Sequence, residues 1–140
     1  LYLDTFLPNL EHADGVAIAD VDHFKHINDT CGHLVGDEAL RAISGVILER
    51  TRETDTLIRY GGDELLLIFP QIGEDAFRQR LTQLREAVQQ IVLADAPELR
   101  LDISIGGAYR VSPLAEAIRQ ADRKMYEQKA AHAAERGQEL

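Results

Sequence analysis

The segment IRYGGDELLLIF, residues 58–69, constrains the fold of this chain more than any other stretch. Gly61 and Gly62 permit the positive φ angles of a tight hairpin, and apolar runs flank them in TLIRY and DELLLIF. The consecutive apolar residues LLLIF predict that the second strand of the hairpin is buried. Asp63 and Glu64 are therefore expected at the mouth of a buried strand.

The remaining pattern alternates strands with helices. In chain order it predicts a helix in LYLDTFLPNL, a strand from Val16 to Asp20, a helix capped by Asp22 that ends before Gly32, a helix in GDEALRAISGVILER, the hairpin, a helix from Glu74 to Val92, a strand in LRLDISIG, and a helix after Pro113 whose tail, AAHAAERGQEL, frays. This order mixes parallel crossovers with an antiparallel hairpin. The predicted fold class is an α/β (α+β) sandwich with helices packed over a central mixed sheet.

Length and charge narrow the classes of function. A chain of 140 residues is expected to form one domain, residues 1–140. Its formal net charge of -9 argues against broad nucleic-acid binding, which needs a basic surface, so no nucleic-acid partner is expected. The single cysteine, Cys31, favours a reducing, cytoplasmic setting. Because the chain opens on Leu1, we expect it to be part of a longer protein, with a fused sensor or membrane domain outside this chain.

Two pairs of acids are expected at the same edge of the sheet. The strand that ends in IADVD can deliver Asp20 and Asp22 to the edge that carries Asp63 and Glu64, provided the two strands are neighbours. Crowded carboxylates repel one another and are tolerated mainly where a cation lies between them. Oxygen-only ligands indicate Mg²⁺ or Mn²⁺ rather than zinc. The alternative is that these acids are hairpin and helix-cap residues that face water.

A phosphate-binding element follows the first acids. The segment DHFK begins a helix, whose free backbone N–H groups, together with Lys25, can hold a phosphate chain beside the metal. A metal next to a phosphate cradle indicates phosphoryl or nucleotidyl transfer. The residues by themselves lead no further than this reaction class.

Two segments extend the interpretation to a family. DVDHFKHINDTCGHLVGDEAL followed by RYGGDEL resembles the GGDEF-domain diguanylate cyclases, which join two GTP molecules into cyclic di-GMP. The resemblance runs from about Asp20 to Lys129. It implies a fold similar to the palm of nucleotide polymerases, a Mg²⁺ or Mn²⁺ cofactor, and a homodimer in which each 3′-hydroxyl attacks the α-phosphate of the opposite GTP.

The resemblance also implies metal ligands and phosphate contacts. The metal ligands would be Asp20, the backbone carbonyl of Val21, Asp63 and Glu64, with Glu64 alternatively accepting the proton of the 3′-hydroxyl. The triphosphate would be held by the backbone N–H groups of His23 and Phe24 and by the side chain of Lys25. Lys129, in ADRKMYEQK of the last helix, would be a further substrate contact.

Two more sets of residues gain a role from the resemblance. Asn28 and Asp37, with His33 nearby, would select guanine, although Asp37 is equally compatible with a plain helix N-cap. Arg52 and Asp55 form an Arg-x-x-Asp motif upstream of the glycines, similar to the family's inhibitory site for cyclic di-GMP. As a bare pattern, this motif would normally be a surface salt bridge.

The chain also departs from the family pattern. Leu65 stands where the family has phenylalanine and is expected to point into the core. The Gly-Arg-Asn that normally follows the last lysine is replaced by His132, Ala133 and Ala134, so an arginine that would contact phosphate is missing. Arg136 comes three residues too late in the sequence to substitute directly. The family's opening Asp-x-Leu-Thr segment is absent as well.

The remaining hypotheses of function differ in whether the domain turns over its substrate. The intact acids favour an active, product-inhibited diguanylate cyclase. The missing arginine favours the alternative, a weak or inactive module that binds GTP or cyclic di-GMP. Another two-metal phosphotransferase or a nuclease is disfavoured by the acidic charge. His12, His26 and His132 show no ligand spacing and are expected at the surface.

Overall fold

The structure, a computed structural model, describes residues 13–136 of the chain. In chain order, the elements are β1 (Gly15–Val21), α1 (Phe24–Cys31), α2 (His33–Glu49), β2 (Thr56–Arg59), β3 (Glu64–Phe69), α3 (Glu74–Gln89), β4 (Ile103–Tyr109) and α4 (Leu114–Glu135). The helix predicted in LYLDTFLPNL and His12 lie outside the described residues. Among the described helices, none has both the length and the apolar character needed to cross a bilayer.

The four strands form one sheet in the order β2-β3-β1-β4. The predicted α/β sandwich is confirmed, but the sheet is antiparallel at every neighbouring pair rather than mixed. The predicted parallel crossovers do exist, because β1 and β2 run in the same direction, and so do β3 and β4. Each such pair is split by a third strand, β3 in the first case and β1 in the second, so that no parallel neighbours meet.

Helices cover both faces of the sheet, which explains why β1 is buried along its whole length. Alternate residues of β1 face opposite sides, so that Ala17 packs with α1, α2 and α3 while Ile18 packs with α4. The apolar stripe predicted for α2, which includes Leu40 and Ile47, is buried on the face of the sheet that α1, α2 and α3 cover. Leu65 lies on that side as well and is only 3% exposed, as predicted.

Gly106 allows α4 to lie close to β4. A β-carbon at this position would overlap backbone atoms of Ala121 and Met125 in the helix. Any larger residue would therefore push the two elements apart. The later turns of α4, which carry Lys129, are held over the end of the sheet by this close packing.

Helix α1 begins later than the sequence predicts. It starts at Phe24, after His23 with a left-handed φ of 58°, and no side chain caps its first turn. The prediction that Asp22 caps this helix is wrong. The carboxylate of Asp22 is bound by Ser104 and contacts His132 instead.

Helix α2 begins earlier than predicted, at His33. Asp37 therefore lies one turn inside the helix. This position excludes the alternative interpretation of Asp37 as an N-cap, because N-caps precede the first helical residue.

Helix α4 continues to Glu135, so the predicted fraying of its tail is wrong for the described residues. His132, predicted at the surface, is only 4% exposed, and Ala133 is also buried. The alanine-rich tail has no apolar stripe in the sequence. Its order comes from a polar contact, between His132 and Asp22, that the local pattern does not reveal.

Candidate functional site

Three of the four acids that the sequence predicts at one sheet edge, Asp20, Asp63 and Glu64, meet at one end of the sheet, whereas Asp22 does not join them. β1 and β3 are antiparallel neighbours in which Asp20 lies opposite Glu64. The loop before β3 adds Asp63, whose backbone oxygen accepts a hydrogen bond from the N–H of Val21 at 3.2 Å. All four predicted metal ligands are thus brought together. We call Asp20, Asp63 and Glu64 the site acids.

The glycine turn that carries Asp63 is longer than predicted. Four residues, rather than two, separate β2 from β3, and Gly61 has a positive φ of 104°. Arg59 closes the loop by donating a hydrogen bond from Nη2 to the carbonyl oxygen of Gly62 at 2.7 Å. A β-carbon at Gly62 would meet nothing within 4 Å. The turn therefore leaves open space beside the site acids.

The site acids are short of positive charge. Asp20 is 5% exposed; its Oδ2 lies 3.1 Å from Nζ of Lys129, while its buried Oδ1 has no hydrogen-bond partner among the described residues. Burial and, next, the neighbouring carboxyl of Asp63 raise the pKa of Asp20 to about 7, although Lys129 opposes the shift. Burial also raises the pKa of Glu64, with further contributions from Asp122 and Asp63.

This arrangement fits a divalent cation such as Mg²⁺ or Mn²⁺. The donor atoms are all oxygen, which these ions prefer. A buried carboxylate oxygen without a partner normally costs free energy, and a bound cation would supply the missing contact. Burial and the neighbouring Asp63 carboxyl, which raise the pKa of Asp20, disfavour its ionised form in the metal-free protein, and a bound cation would favour it.

Asp22, two residues beyond Asp20, belongs to a second buried cluster. The ligand atoms of Asp22, Asp102 and His132 all lie within 4.8 Å of one another, a spacing that fits a metal ion. However, Asp22 already accepts a hydrogen bond from Oγ of Ser104 at 2.6 Å and lies 2.8 Å from Nδ1 of His132. We call Asp22 and Asp102 the paired acids.

Two arginines neutralise the paired acids. Asp102 accepts hydrogen bonds from Nε and Nη2 of Arg85, each at 3.0 Å, and from Nη2 of Arg136 at 2.6 Å. Nη1 of Arg136 also lies 3.5 Å from Asp22. Burial would raise the pKa of Asp102, but the hydrogen bonds and charge of Arg85 outweigh it and lower that pKa. A metal ion would have to displace these arginines, so the paired acids are the weaker metal site.

A cavity of about 320 Å³ lies between the end of β1, the start of α1 and the last turns of α4. The predicted phosphate contacts His23, Phe24, Lys25 and Lys129 all line it, together with two of the site acids. N–H groups in the first turn of a helix have no partner within the helix, and the helix dipole favours anions there. The cavity can therefore hold an anion next to the site acids.

A second cleft, of about 520 Å³, opens between α2 and the hairpin. Asp37 lines it together with Asp63 and Glu64. Asn28, on α1, has a buried Oδ1 without a hydrogen-bond partner in the described part of the chain. This atom packs so closely on Gly36 that a β-carbon there would clash. His33, the first residue of α2, is exposed.

The predicted inhibitory pair is engaged in internal contacts. Arg52 donates hydrogen bonds from Nε and Nη2 to Oδ1 of Asp55 at 3.1 and 2.8 Å. Its Nη1 and Nη2 also donate to the carbonyl oxygens of Gln71 and Pro70, at 2.9 and 2.6 Å. The Asp55 side chain is 1% exposed and that of Arg52 is 38% exposed. A ligand would therefore meet the guanidinium before the carboxylate.

Sequence reasoning missed His132 and Arg136 as residues of this region. Lys129, His132 and Arg136 are spaced i, i+3 and i+7, which puts them on one face of α4. By position in the sequence, Arg136 comes three residues too late to replace the family's arginine. In the structure, Arg136 lines the 320 Å³ cavity together with Lys129. Helical spacing from Lys129 was the signal that could have identified both residues.

Comparison with known proteins identifies the family. The sequence profile described as "Diguanylate cyclase, GGDEF domain" matches residues 4–135. The chain is 39% identical over 95 residues to diguanylate cyclase DosC of Escherichia coli K12, a match covering 66% of this chain and 21% of DosC. It is 35% identical over 117 residues to probable diguanylate cyclase DgcC of the same strain, covering 81% of this chain and 32% of DgcC. The chain thus spans a minor part of each relative's length.

Solved structures agree with the sequence profile. The GGDEF domain of DgcB from Caulobacter crescentus, in complex with c-di-GMP, aligns with a TM-score of 0.82 and 28% identity, over 93% of this chain and 81% of that one. Diguanylate cyclase SiaD from Pseudomonas aeruginosa, in complex with its activator SiaC, aligns with a TM-score of 0.83 and 26% identity, over 93% of this chain and 54% of SiaD. Since both the profile and the fold match over nearly all of its length, the chain belongs to the GGDEF-domain family of diguanylate cyclases.

Proposed function

We propose that this domain is a diguanylate cyclase that condenses two GTP molecules into cyclic di-GMP and two pyrophosphates. One observation carries the proposal. Asp20 has an unpartnered buried oxygen and a pKa raised to about 7, and it borders a cavity lined by Lys25 and Lys129. A buried acid with one oxygen on Lys129 and the other without a partner, next to groups that attract an anion, suits a polyphosphate bound with a metal ion.

Asp20, Asp63 and the backbone carbonyl of Val21 would hold the metal, with Glu64 as a further ligand. When bound, Mg²⁺ or Mn²⁺ polarises the reacting phosphate and lowers the pKa of the attacking hydroxyl. The all-oxygen donor set and the charge deficit at Asp20 support this assignment.

The phosphates would be held by the first turn of α1 and by two lysines. The backbone N–H groups of His23 and Phe24 donate to phosphate oxygens, and Lys25 and Lys129 neutralise the charge that develops on pyrophosphate as it leaves. In each attack, a bond forms between O3′ and the α-phosphorus while the bond from that phosphorus to the bridging oxygen breaks. The proton of the 3′-hydroxyl passes to solvent or to Glu64.

Guanine would be selected by Asn28 and Asp37, with His33 nearby. A carboxylate at position 37 accepts hydrogen bonds from guanine N1–H and the N2 amino group, and the amide of Asn28 can donate to O6 or N7. The position of Asp37 in the cleft beside the hairpin supports this assignment.

One protomer would hold one GTP, so two protomers must face each other for both bonds to form. We therefore propose a symmetric, at least transient, homodimer. A sensor or membrane domain fused to this domain would control the pairing. GTP and Mg²⁺ are available in the cytoplasm, which is the location we propose.

Arg52 and Asp55 would form an inhibitory site for cyclic di-GMP. The exposed part of the Arg52 guanidinium can pair with a phosphate or a guanine edge. Because Asp55 is covered, product must first displace Arg52 from it. Calorimetric titration with cyclic di-GMP should show binding to the wild type and at least about tenfold weaker binding to Arg52→Ala, the loss expected for a charge-assisted contact. Equal affinities would remove this site from the proposal.

The deciding experiment is a turnover assay on the purified chain at high concentration with GTP and Mg²⁺. Nucleotides are separated by chromatography, and Asp63→Ala is the control. The wild type should form cyclic di-GMP and pyrophosphate, and the control should form neither. ATP and DNA, offered in parallel, should remain unchanged, and turnover of either would favour a different two-metal enzyme.

The alternative is a module that binds GTP or cyclic di-GMP without turnover. Ala133 favours this alternative, because it lines the 320 Å³ cavity at a position where the family has a charged arginine. If no product forms, the assay is repeated with a coiled coil fused to the domain to force dimerisation. Binding of GTP without product in the forced dimer would establish the module and exclude the cyclase.

A further inference from the structure

We propose that Arg136 binds the β- and γ-phosphates of the substrate. When substrate is absent, Arg136 is bound by the paired acids instead. This inference rests on the proposed use of GTP and assigns a residue to its phosphate site. Arg136 lines the 320 Å³ cavity with Lys25 and Lys129, and its side chain is 31% exposed. It is therefore within the same cavity as the two lysines and open to an incoming anion.

The packing of α4 fixes the direction from which Arg136 approaches. His132, one turn before it, is buried against Asp22, and Lys129, two turns before it, contacts Asp20. Both contacts turn this face of the helix toward the end of β1. Ala133 lies at the same cavity but carries no charge, so Arg136 is the only guanidinium that α4 presents there among the described residues.

Arg136 can leave its present partners without stranding either of them. Asp102 would keep both hydrogen bonds from Arg85, at 3.0 Å each, and one from its neighbouring backbone N–H of Ile103 at 2.8 Å. Asp22 would keep Oγ of Ser104 at 2.6 Å.

His132 would also remain in contact with Asp22, 2.8 Å away. A buried carboxylate that loses its last partner is costly, whereas one that retains several is not. Arg136 can therefore change partners without leaving a buried carboxylate unpaired, which is the cost that usually opposes the movement of a half-buried arginine.

A triphosphate is the stronger attractor for Arg136. Arg136 shares both of its present partners, because Asp102 is also bound by Arg85, and Asp22, 3.5 Å away, is also bound by Ser104. A phosphate group offers up to two charges and a geometry that matches the planar fork of arginine. Lys129 is engaged with Asp20, which leaves the cavity in need of a further cation for a polyphosphate.

The test is calorimetric binding of a GTP analogue with a methylene bridge between the α- and β-phosphates, which cannot release pyrophosphate, in the presence of Mg²⁺. The variants are Arg136→Ala, Arg136→Lys and a control, Arg123→Ala, which removes an exposed arginine from the same helix. Arg136→Ala should weaken binding of the analogue about tenfold or more, as expected for a charge-assisted contact. Arg136→Lys should lose less, and Arg123→Ala should bind like the wild type.

Binding of GMP separates a phosphate contact from a general defect. GMP lacks the β- and γ-phosphates, so Arg136→Ala should bind it as the wild type does. Thermal unfolding of each variant confirms that it folds; if Arg136→Ala does not, Arg136→Gln carries the same comparison, because it removes the charge and keeps much of the side chain. Equal analogue binding by wild type and Arg136 variants, with turnover of GTP intact, would overturn the inference and leave the cyclase proposal standing. A wild type that neither binds the analogue nor converts GTP would overturn both.

Discussion

Two acidic clusters lie around the end of β1 and differ in how their charge is balanced. The site acids are three carboxylates with one cation in contact, Lys129 at 3.1 Å from Asp20. The paired acids are two carboxylates surrounded by Arg85, Arg136 and His132. Burial and, next, the carboxyl of Asp63 raise the pKa of Asp20, whereas the hydrogen bonds and charge of Arg85 outweigh burial and lower the pKa of Asp102.

This difference teaches that ligand spacing does not identify a metal site. Asp22, Asp102 and His132 have the closer spacing of potential ligand atoms, within 4.8 Å. Their carboxylates are already bound by arginines that an ion would have to displace. Asp20, by contrast, keeps a buried oxygen without a partner. We therefore propose the site acids, which have the unpartnered oxygen, rather than the more closely spaced paired acids, as the cation site.

The largest expected effect is on turnover in Asp20→Asn. An amide has no negative charge to offer a divalent cation, so cyclic di-GMP formation should fall by about 10³-fold or more, the equivalent of several kcal/mol of lost metal assistance. The metal-free protein should not lose stability, because the substitution removes a buried carboxylate that has one cation, Lys129, in contact and one oxygen without a partner among the described residues. A decrease in the free energy of unfolding by more than about 1 kcal/mol would contradict this account of Asp20.

The second prediction concerns stability in Asp102→Asn. Arg85 and Arg136 would lose their shared carboxylate, and the free energy of unfolding at pH 7 should fall by about 2–4 kcal/mol. Urea unfolding measures this loss, with Asp29→Asn, at an exposed acid on α1, as the control. The folded pKa of Asp102 lies below its ordinary value of 3.8. Its contribution is therefore present above about pH 4 and lost as pH falls through the folded pKa, so wild type and variant should converge in acid.

The third prediction uses the pH dependence of Asp20. In the metal-free protein, its raised folded pKa means that its contribution to stability declines as pH rises from about 4 to about 7. A bound cation requires the ionised carboxylate and must displace a proton below that pKa. Mg²⁺ at a saturating concentration should therefore stabilise the fold more at pH 8 than at pH 6, by about 1.4 kcal/mol for a tenfold change in affinity.

Chemical unfolding with and without Mg²⁺ at the two pH values measures this difference. The comparison is made at constant ionic strength, and Asp20→Asn should abolish the pH dependence of the Mg²⁺ effect while leaving the titration of histidines in place. Asp102→Asn should retain it. A pH dependence that follows Asp102 instead of Asp20 would move the metal to the paired acids.

All three site acids could be predicted from sequence because their signals are local. The glycine turn identifies Asp63 and Glu64, and a short apolar run ending on Asp20 identifies the neighbouring strand. The only long-range step was that the two strands are neighbours, and the register of Asp20 opposite Glu64 confirms it. The same reasoning wrongly predicted a mixed sheet, because no local signal shows that β3 lies between β1 and β2 and makes every neighbouring pair antiparallel.

The paired acids could not be predicted because their partners are distant in sequence. His132 contacts Asp22 across 110 residues and lies in an alanine-rich segment without an apolar stripe. Asp22 itself resembles a helix cap in sequence, yet its carboxylate is used by Ser104, 82 residues away. Polar networks of this kind depend on the finished fold, and hydrophobic periodicity carries no record of them.

The smallest expected effect is in Ser104→Ala. Ser104 is fully buried and its Oγ donates a hydrogen bond to Asp22 at 2.6 Å. Because Asp22 keeps its contacts with His132 and Arg136, the loss in free energy of unfolding should be only about 1 kcal/mol, the usual net value of one hydrogen bond. Thermal and urea unfolding measure it beside Asp102→Asn. A loss as large as in Asp102→Asn would mean that Asp22 depends on a single donor, and the contrast between compensated and uncompensated acids would then fail at this residue.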